Sequence, residues 1–379
     1  MKLLFTSLGS HGHTYPLLPL AVAARKAGHE VIFATGEALL PSLRKAGLDT
    51  AAVTIDISSG FAAVVGEGTW PPPEDELPKI VAKVFGDALP RLAVEKLKPV
   101  LEAERPDLVV YESGNPGGGF AAKLAGIPAV AHGFGRVSVG DLTESIAKPL
   151  MDYAAELGIE LAGPLMIGDP YIDICPESVQ APDFMAANER IPLRPVGWNE
   201  PGELPGLVHE DEPLVYLTLG TAFGNVDVLK GAIEGLAKLP VNVLVAAGPS
   251  VDVDALGGVP SNVHLAAWVP QADLLPHVAL VVHHGGSGTT LGTFAAGHPQ
   301  LVIPQGADQF TNAEAVLAAG VGTRLLPDEF TAEAVYEQAK SLLEDETVQT
   351  AAKRLAEEVA SMPSPDDVAA QLPAYAKPR

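Results

Sequence analysis

The residues best placed to do chemistry are concentrated in a glycine-rich turn, ALVVHHGGSGTTLGTFAAG, in the second half of the chain. A buried strand leads through His284 to Gly286, Ser287, Gly288 and Thr289, where a helix begins. Small residues let a ligand approach the backbone, and the unpaired N–H groups of a helix start bind an anion. Two hydroxyls and an imidazole add donors. The turn therefore predicts a diphosphate site without a lysine; the alternative is a turn needed only for tight strand–helix packing.

Polar and aromatic residues follow neighbouring strands. Trp268, in AAWVPQADLLP, can stack on a nucleobase while the backbone of Val269 pairs with the base edge; the alternative is a Trp that packs between domains. Asp308 and Gln309, in PQGADQFTNA, can bind the hydroxyls of a sugar; the alternative is a solvated turn that caps the next helix. Ligands of open parallel sheets bind at the carboxyl ends of the strands, where these loops lie. The chain has neither GxxxxGK[ST] nor, in GSHGHT, a GxGxxG, which disfavours phosphoryl transfer and a nicotinamide site.

Alternating strands and helices must position these residues. Short apolar runs separated by helix-length segments predict a parallel α/β sheet, and LVYLTLGT in the second half echoes LLFTSLGS in the first. We therefore predict two tandem Rossmann-like, doubly wound domains: residues 1–195, a linker at 196–207, and residues 208–379, with a last helix from near Ser364 that can pack back on the first domain. The predicted strands span 2–8, 31–35, 108–112, 128–133, 214–220, 242–248, 263–269, 279–285 and 299–304.

Composition narrows the class of protein. The 379 residues are 47% hydrophobic and 19% charged, with 24 basic and 47 acidic side chains and a net charge of −23. Such a charge repels nucleic acids and anionic lipid surfaces, so neither is an expected partner. The single cysteine, Cys175, excludes an intramolecular disulfide framework. The apolar N-terminus is interrupted by GSHGHTYP, and no run reaches the ~18 apolar residues of a membrane span. We expect a cytoplasmic enzyme.

Taken together, WVPQ, HHGGSGTT, GADQF and the N-terminal GSHGHTYPLLPLA resemble family 1 glycosyltransferases of the GT-B fold, in particular the calicheamicin-type rhamnosyltransferases of actinobacteria. The resemblance covers essentially the whole chain. It implies two domains facing across a cleft, with an aglycone acceptor on the first and a nucleotide sugar on the second. The donor contacts that it implies are Thr221, Trp268, Val269, Gln271, His284, Gly286, Ser287, Gly288, Thr289, Asp308 and Gln309.

The resemblance also implies a catalytic pair. His13 matches the general base, and Glu112, in LVVYESG, stands where the family often has an Asp that orients the histidine. Glu is longer than the Asp of the family, and the alternative is a strand register that places Tyr111 or Ser113 inward instead. A carboxylate on one ring nitrogen raises the basicity of the other, which can deprotonate an acceptor hydroxyl. The family mechanism is a single inverting displacement; we expect no metal and no cofactor beyond the sugar nucleotide.

One departure from the family pattern concerns the nucleotide of the sugar donor. Gly292 replaces a Glu that contacts the ribose hydroxyls in plant relatives, which favours dTDP-sugars, 6-deoxyhexoses above all, over UDP-sugars. Gln309 matches the sugar contact of the family, so a glucose-like donor is the alternative. The prediction is thus an inverting O-glycosyltransferase of antibiotic biosynthesis; C- or N-transfer, a nucleotide-sugar epimerase, a catalytically silent activator partner and a homodimer stay open. The D-x-D at 252–254 is interpreted as a solvated loop rather than a metal site.

Overall fold

A computed structural model describes residues 1–66, 76–137, 140–163, 167–187, 189–209, 212–220, 225–248 and 256–376. The chain divides into two compact units. The first consists of Met1–Cys175, Gln180–Arg194 and Pro363–Arg379, and the second of Pro176–Val179 and Pro195–Met362. None of the helices in the described ranges combines the length and the apolar character that crossing a bilayer requires.

The first unit contains a parallel sheet with the strand order β3-β2-β1-β4-β5-β6-β7. This order is doubly wound about β1, as the alternation of strands and helices predicts. Its strands are β1 (Lys2–Thr6), β2 (Glu30–Thr35), β3 (Asp49–Ala52), β4 (Leu108–Glu112), β5 (Ala129–His132), β6 (Tyr171–Asp173) and β7 (Arg190–Pro192). Its helices are α1 (His11–Thr14), α2 (Leu18–Lys26), α3 (Leu40–Lys45), α4 (Ile57–Val65), α5 (Leu77–Lys83), α6 (Leu89–Glu104), α7 (Pro116–Leu124), α8 (Asp141–Glu156), α9 (Pro182–Ala187) and, at the chain end, α16 (Pro365–Gln371).

The second unit repeats the plan, with the parallel order β10-β9-β8-β11-β12-β13. Two tandem Rossmann-like sheets are therefore confirmed. The strands are β8 (Leu214–Thr218), β9 (Asn242–Ala246), β10 (Val263–Ala266), β11 (Leu280–His283), β12 (Gln300–Val302) and β13 (Gly322–Arg324). The helices are α10 (Val226–Leu236), α11 (Gln271–Leu274), α12 (Ser287–Ala296), α13 (Gln309–Ala318), α14 (Ala332–Glu344) and α15 (Glu346–Ser361).

Most predicted strands end too late at the carboxyl edge. β1 stops at Thr6 and β8 at Thr218, although Leu8 and Leu219 beyond them are fully buried. The apolar run continues into the core after the hydrogen-bonded ladder has ended, so hydrophobicity alone overestimates strand length. The residues beyond the ladder form the loops that carry the candidate site.

Two segments near the predicted domain boundaries show how the chain divides between the units, and the last helix packs on the first unit as anticipated. Residues 196–207, predicted as a linker, belong to the second unit, where Asn199 accepts a hydrogen bond from the Ala272 N–H at 2.7 Å. The helix α16 belongs to the first unit and packs against α2, with Val368 and Ala369 fully buried. The last helix begins near Ser364, as predicted, and the structure shows a capping box between Ser364 and Asp367.

Candidate active site

The structure brings His13 and Glu112 together at the carboxyl edge of the first sheet. His13 lies in the one-turn helix α1 after β1, and Glu112 ends β4, which pairs with β1. The Nδ1 atom of His13 is 3.1 Å from Oε2 of Glu112. The carboxylate side chain is fully buried, whereas the imidazole keeps 17% of its surface exposed. A carboxylate held at Nδ1 fixes the ring orientation and leaves Nε2 as the atom that can take a proton.

The second carboxylate oxygen of Glu112 is held by the backbone. Oε1 accepts a hydrogen bond from the N–H of Gly114, in the turn before α7. A Cβ on Gly114 would lie 2.6 Å from Oε1 and 3.1 Å from Cε1 of His13. Only glycine therefore lets the backbone come this close to both side chains.

The alternatives to Glu112 point elsewhere. Tyr111 is buried on the opposite face of β4, and its hydroxyl donates to Oδ2 of Asp169 at 3.0 Å. Ser113 accepts a hydrogen bond from the Tyr171 hydroxyl at 3.4 Å. Successive residues of a strand face opposite sides, so the register that buries Tyr111 turns Glu112 toward His13.

A cluster of buried hydroxyls holds the turn that carries His13, and sequence reasoning missed it. Oγ1 of Thr14 lies 2.8 Å from Oγ of Ser7 and donates to the carbonyl of Leu8 at 3.2 Å. Thr35, on β2, donates to the carbonyl of Ser7 at 3.1 Å. Ser7, Thr14 and Thr35 are fully buried. Two hydroxyl residues at strand ends, Ser7 and Thr35, together with the Thr of the G-H-T turn were the available signal in the sequence.

The other histidines of this edge differ from His13. His11 is exposed and packs edge-on against Tyr15, with ring centroids 5.0 Å apart. His132 is fully buried beside Glu112 in the sheet, and its Nδ1 lies 2.6 Å from the carbonyl of Gly133. Burial lowers the pKa of His132 to about 4, which keeps the ring neutral at pH 7. It therefore places no positive charge beside the carboxylate.

In the second unit the glycine-rich turn starts α12. Gly286 caps the helix with extended backbone and no side-chain hydrogen bond, and Gly285 before it has φ of +93°. The N–H groups of residues 287–289 lie in the first helical turn, so they have no intrahelical acceptor. A Cβ on Gly288 would meet no atom within 4 Å. This helix start is open to an anion.

His284 packs against the turn. A Cβ on Gly220 would lie 2.5 Å from Cε1 of His284, and one on Gly286 would lie 2.5 Å from Nε2. Its Nδ1 is buried without a hydrogen-bond partner among the described residues. Burial lowers the pKa of His284 to about 4, against the opposing influences of Asp308 and of the backbone at Thr218. A neutral imidazole with an unsatisfied nitrogen is suited to a phosphate oxygen.

Asp308 and Gln309 lie beside the turn with different roles. Oδ2 of Asp308 accepts hydrogen bonds from Oγ of Ser287 at 2.8 Å and from Nδ2 of Asn312 at 3.1 Å. Oε1 of Gln309 instead accepts from the N–H groups of Gln305 at 2.7 Å and Gly306 at 3.1 Å. In this structure Gln309 thus stabilises its own loop, and Asp308 is tied to the helix start.

Three predicted donor residues surround the end of β10. Trp268 is 53% exposed, and its ring faces Gly202, while Val269 is buried. Oε1 of Gln271 accepts from the Tyr216 hydroxyl at 3.2 Å and from Oγ1 of Thr289 at 3.3 Å. Gln271 therefore links α11 to α12. Thr221 and the D-x-D at 252–254 lie outside the described residues.

Family models match both halves of the chain. Residues 80–220 match the N-terminal domain, and residues 232–375 the C-terminal domain, of proteins described as erythromycin biosynthesis protein CIII-like. The L-demethylnoviosyl transferase of Streptomyces niveus is 35% identical in an alignment that covers 99% of this chain and 98% of the relative.

Solved glycosyltransferases share the whole architecture. SsfS6 of Streptomyces sp. SF2575, in complex with thymidine diphosphate, has a TM-score of 0.80 at 29% identity over 99% of each chain. The spinosyn rhamnosyltransferase SpnG, complexed with spinosyn aglycone, has a TM-score of 0.79 at 26% identity over 99% of each chain. The calicheamicin glycosyltransferase CalG4 has the same fold, with a TM-score of 0.80 at 23% identity over 99% of this chain and 98% of its own.

Proposed function

The chain belongs to the erythromycin biosynthesis protein CIII-like family of natural-product glycosyltransferases, and on that premise we propose that it is an inverting O-glycosyltransferase with His13 as its general base. The donor is a dTDP-linked 6-deoxyhexose, and the acceptor is a hydroxyl of an apolar aglycone. The observation that carries the proposal is the 3.1 Å contact between Nδ1 of His13 and the buried carboxylate of Glu112.

The reaction uses the second ring nitrogen of His13, Nε2, which is the one not facing Glu112. With Nδ1 facing the Glu112 carboxylate at 3.1 Å, Nε2 accepts the proton of the acceptor hydroxyl as that oxygen attacks the anomeric carbon. The bond from the anomeric carbon to the diphosphate breaks on the opposite face, so the configuration inverts. The imidazolium that forms is stabilised by the carboxylate. A positioned base of this kind contributes roughly 10²–10⁴-fold to the rate.

The leaving diphosphate is stabilised by backbone and imidazole donors. The N–H groups at the start of α12 face the anion with the positive end of the helix dipole, and His284 supplies its unsatisfied Nδ1. These donors are neutral, so they bind a diphosphate despite the net charge of −23. We propose that transfer needs neither a divalent cation nor a cofactor.

The preference for dTDP rests on Gly292. A carboxylate at this position would bind ribose hydroxyls, and in this chain the position, on α12, carries no side chain. A deoxyribose has one fewer hydroxyl to satisfy, so its binding is not impaired. The thymidine diphosphate bound to SsfS6 supports the same nucleotide. The rhamnosyltransferase SpnG and the aglycone bound to it support a 6-deoxyhexose and an apolar acceptor.

Calorimetry with dTDP, UDP and NAD, each in EDTA, tests the donor. Selective binding of dTDP is expected, whereas preferential binding of UDP would contradict the Gly292 argument. Turnover of dTDP-rhamnose with a panel of polyketide aglycones then tests the reaction, and the anomeric proton coupling of the product reports inversion. His13→Ala should bind dTDP as the unmodified protein does and lose turnover. An active His13→Ala protein would overturn the assignment of the base.

A further inference from the structure

Two buried side chains hold the backbone of Gly285, one at its N–H and one at its C=O. Nδ1 of His283 accepts the Gly285 N–H at 3.0 Å. Nδ2 of Asn312, on α13, donates to the Gly285 carbonyl at 2.8 Å. His283 is fully buried and Asn312 nearly so. Neither residue emerges from the motif as a ligand contact.

The tautomer of His283 is set by its partners. Because Nδ1 accepts the backbone N–H, the ring proton resides on Nε2, which donates to Oε1 of Gln300 at 2.8 Å. Gln300 is itself fully buried and donates to the carbonyl of Thr290 at 3.4 Å. Burial lowers the pKa of His283 to about 3. The ring therefore stays neutral, with Nδ1 as an acceptor, across the physiological range.

The bond from Asn312 sets the direction of the next N–H. In a planar trans peptide, the C=O of Gly285 and the N–H of Gly286 point in opposite directions. Holding the carbonyl on Asn312 therefore directs the Gly286 N–H away from α13. A flipped peptide would present the carbonyl oxygen on that side and repel an anion there. Two adjacent glycines give this backbone unusual freedom, so an external restraint matters here.

Asn312 also connects the restraint to the rest of the site. Its Nδ2 lies 3.1 Å from Oγ of Ser287 and 3.1 Å from Oδ2 of Asp308. The same amide thus contacts the first residue of α12 and a predicted sugar contact. Any displacement of Asn312 would move the peptide, the helix start and Asp308 together.

We propose that His283 and Asn312 are positioning residues for the donor diphosphate, which fix the two peptides flanking Gly285 so that the Gly286 N–H and the start of α12 face the phosphate oxygens. The inference rests on the proposed nucleotide-sugar donor. It concerns the diphosphate, which dTDP and UDP share, and it is independent of the base and of the sugar.

Calorimetric titration of the full chain with dTDP and with UDP tests this role. Asn312→Ala should weaken dTDP binding roughly ten- to hundredfold, the loss of one hydrogen bond to a charged group. The fold-loss should be the same for UDP, because the two nucleotides differ only in base and sugar. His283→Leu should weaken binding similarly, whereas His283→Asn, whose amide oxygen can replace Nδ1, should restore most of it.

Asn262 provides a matched control in the same unit. Its Nδ2 donates to the carbonyls of Ala237, Leu239 and Val241 at 3.3, 3.4 and 3.0 Å, respectively. Asn262→Ala should lower the melting temperature without changing the Kd of either nucleotide. Folded Asn312→Ala protein with unchanged Kd, or an equal loss in Asn262→Ala, would overturn the inference alone. Failure of the unmodified chain to bind either nucleotide would overturn the proposed donor and this inference with it.

Discussion

Replacing Glu112 by Gln tests the catalytic pair most directly, because the structure specifies what each oxygen does. Oε1 accepts the Gly114 N–H, and Oε2 faces Nδ1 of His13 at 3.1 Å. Gln has the same shape and keeps its carbonyl oxygen on the Gly114 N–H, so its NH₂ must face the imidazole. That NH₂ donates to Nδ1 and moves the ring proton to Nε2. The atom that should accept the substrate proton is then already protonated.

The expected loss of activity arises because the substitution impairs the general base and leaves the donor-binding residues unchanged. For Glu112→Gln, kcat should fall by roughly 10²–10⁴-fold, the usual contribution of a positioned general base. Glu112→Asp withdraws the carboxylate by one C–C bond, about 1.5 Å. Added to the observed 3.1 Å, this exceeds hydrogen-bonding distance to Nδ1, yet the negative charge persists and still favours a proton on Nδ1 over one on Nε2. The Asp variant should therefore lose less activity than the Gln variant.

Initial rates with saturating dTDP-sugar and acceptor measure kcat, and calorimetry measures the Kd of dTDP. Both variants should keep the Kd of the unmodified protein, since Glu112 is in the first unit and the glycine-rich turn is in the second. Undiminished kcat in Glu112→Gln would refute the orienting role. A parallel loss of dTDP affinity would instead indicate a general structural defect, which thermal unfolding would reveal.

Three further predictions concern buried histidines, an open glycine and the hydroxyl cluster. The free energy of unfolding should fall as the pH drops from about 6.5 toward 4. The folded pKa values of His132 and His284 are about 4 and that of His283 is about 3, so the unfolded histidines bind more protons. Each histidine contributes a slope of up to ~1.4 kcal/mol per pH unit, and burial raises the pKa of Asp169 and of Asp173, which opposes part of this slope. Urea titrations measure the slope, and a flat profile would contradict the prediction. Gly288→Ala should stabilise α12 by about 0.5–1 kcal/mol. It should also weaken dTDP binding, because the methyl group enters the open space at the helix start. An unchanged calorimetric affinity for dTDP would argue against an anion at this position. Thr14→Val should cost about 0.5–1.5 kcal/mol by removing the hydrogen bonds of the Thr14 hydroxyl to Ser7 and to the Leu8 carbonyl. It should also lower kcat while the Kd of dTDP stays constant. A Val variant with full kcat would separate the cluster from catalysis.

The fold was predictable because both sheets are built from buried apolar runs. β4 and β8, for example, are LVVYE and LVYLT and are buried at every position. The short strands β3, β6, β7 and β13 were not predicted. DTAA in β3 and GTR in β13 each contain a partly exposed or small residue at most positions, so they carry little apolar signal. They form because a neighbouring strand offers an unpaired edge, which local sequence does not encode.

The site residues that belong to a recognisable motif could be predicted from the sequence. Those whose role depends on contacts between distant parts of the chain could not. His13 and Glu112 could be paired because two strand ends share a sheet edge. The amide of Asn312, by contrast, reaches Gly285 across 27 positions of the chain, and nothing local distinguishes it from a surface asparagine. Gln309 has a role that its motif does not indicate, since its oxygen binds two loop N–H groups, and its predicted ligand contact stays a prediction.

The similar segments LLFTSLGS and LVYLTLGT occupy equivalent positions in the two units, although the side chains beside them differ in chemistry. Each segment forms an interior strand of its sheet, third in the strand order, and continues into a buried leucine and a glycine, Gly9 in the first unit and Gly220 in the second. The space that a Cβ would need at Gly9 is taken by the carboxylate of Asp56, and at Gly220 by the ring of His284. Glycine is thus required at both positions for the same steric reason, although the neighbour is an acid in one unit and an imidazole in the other. The repeated sequence therefore encodes close approach at the strand end, and the chemistry of each unit comes from the loops that fill that space.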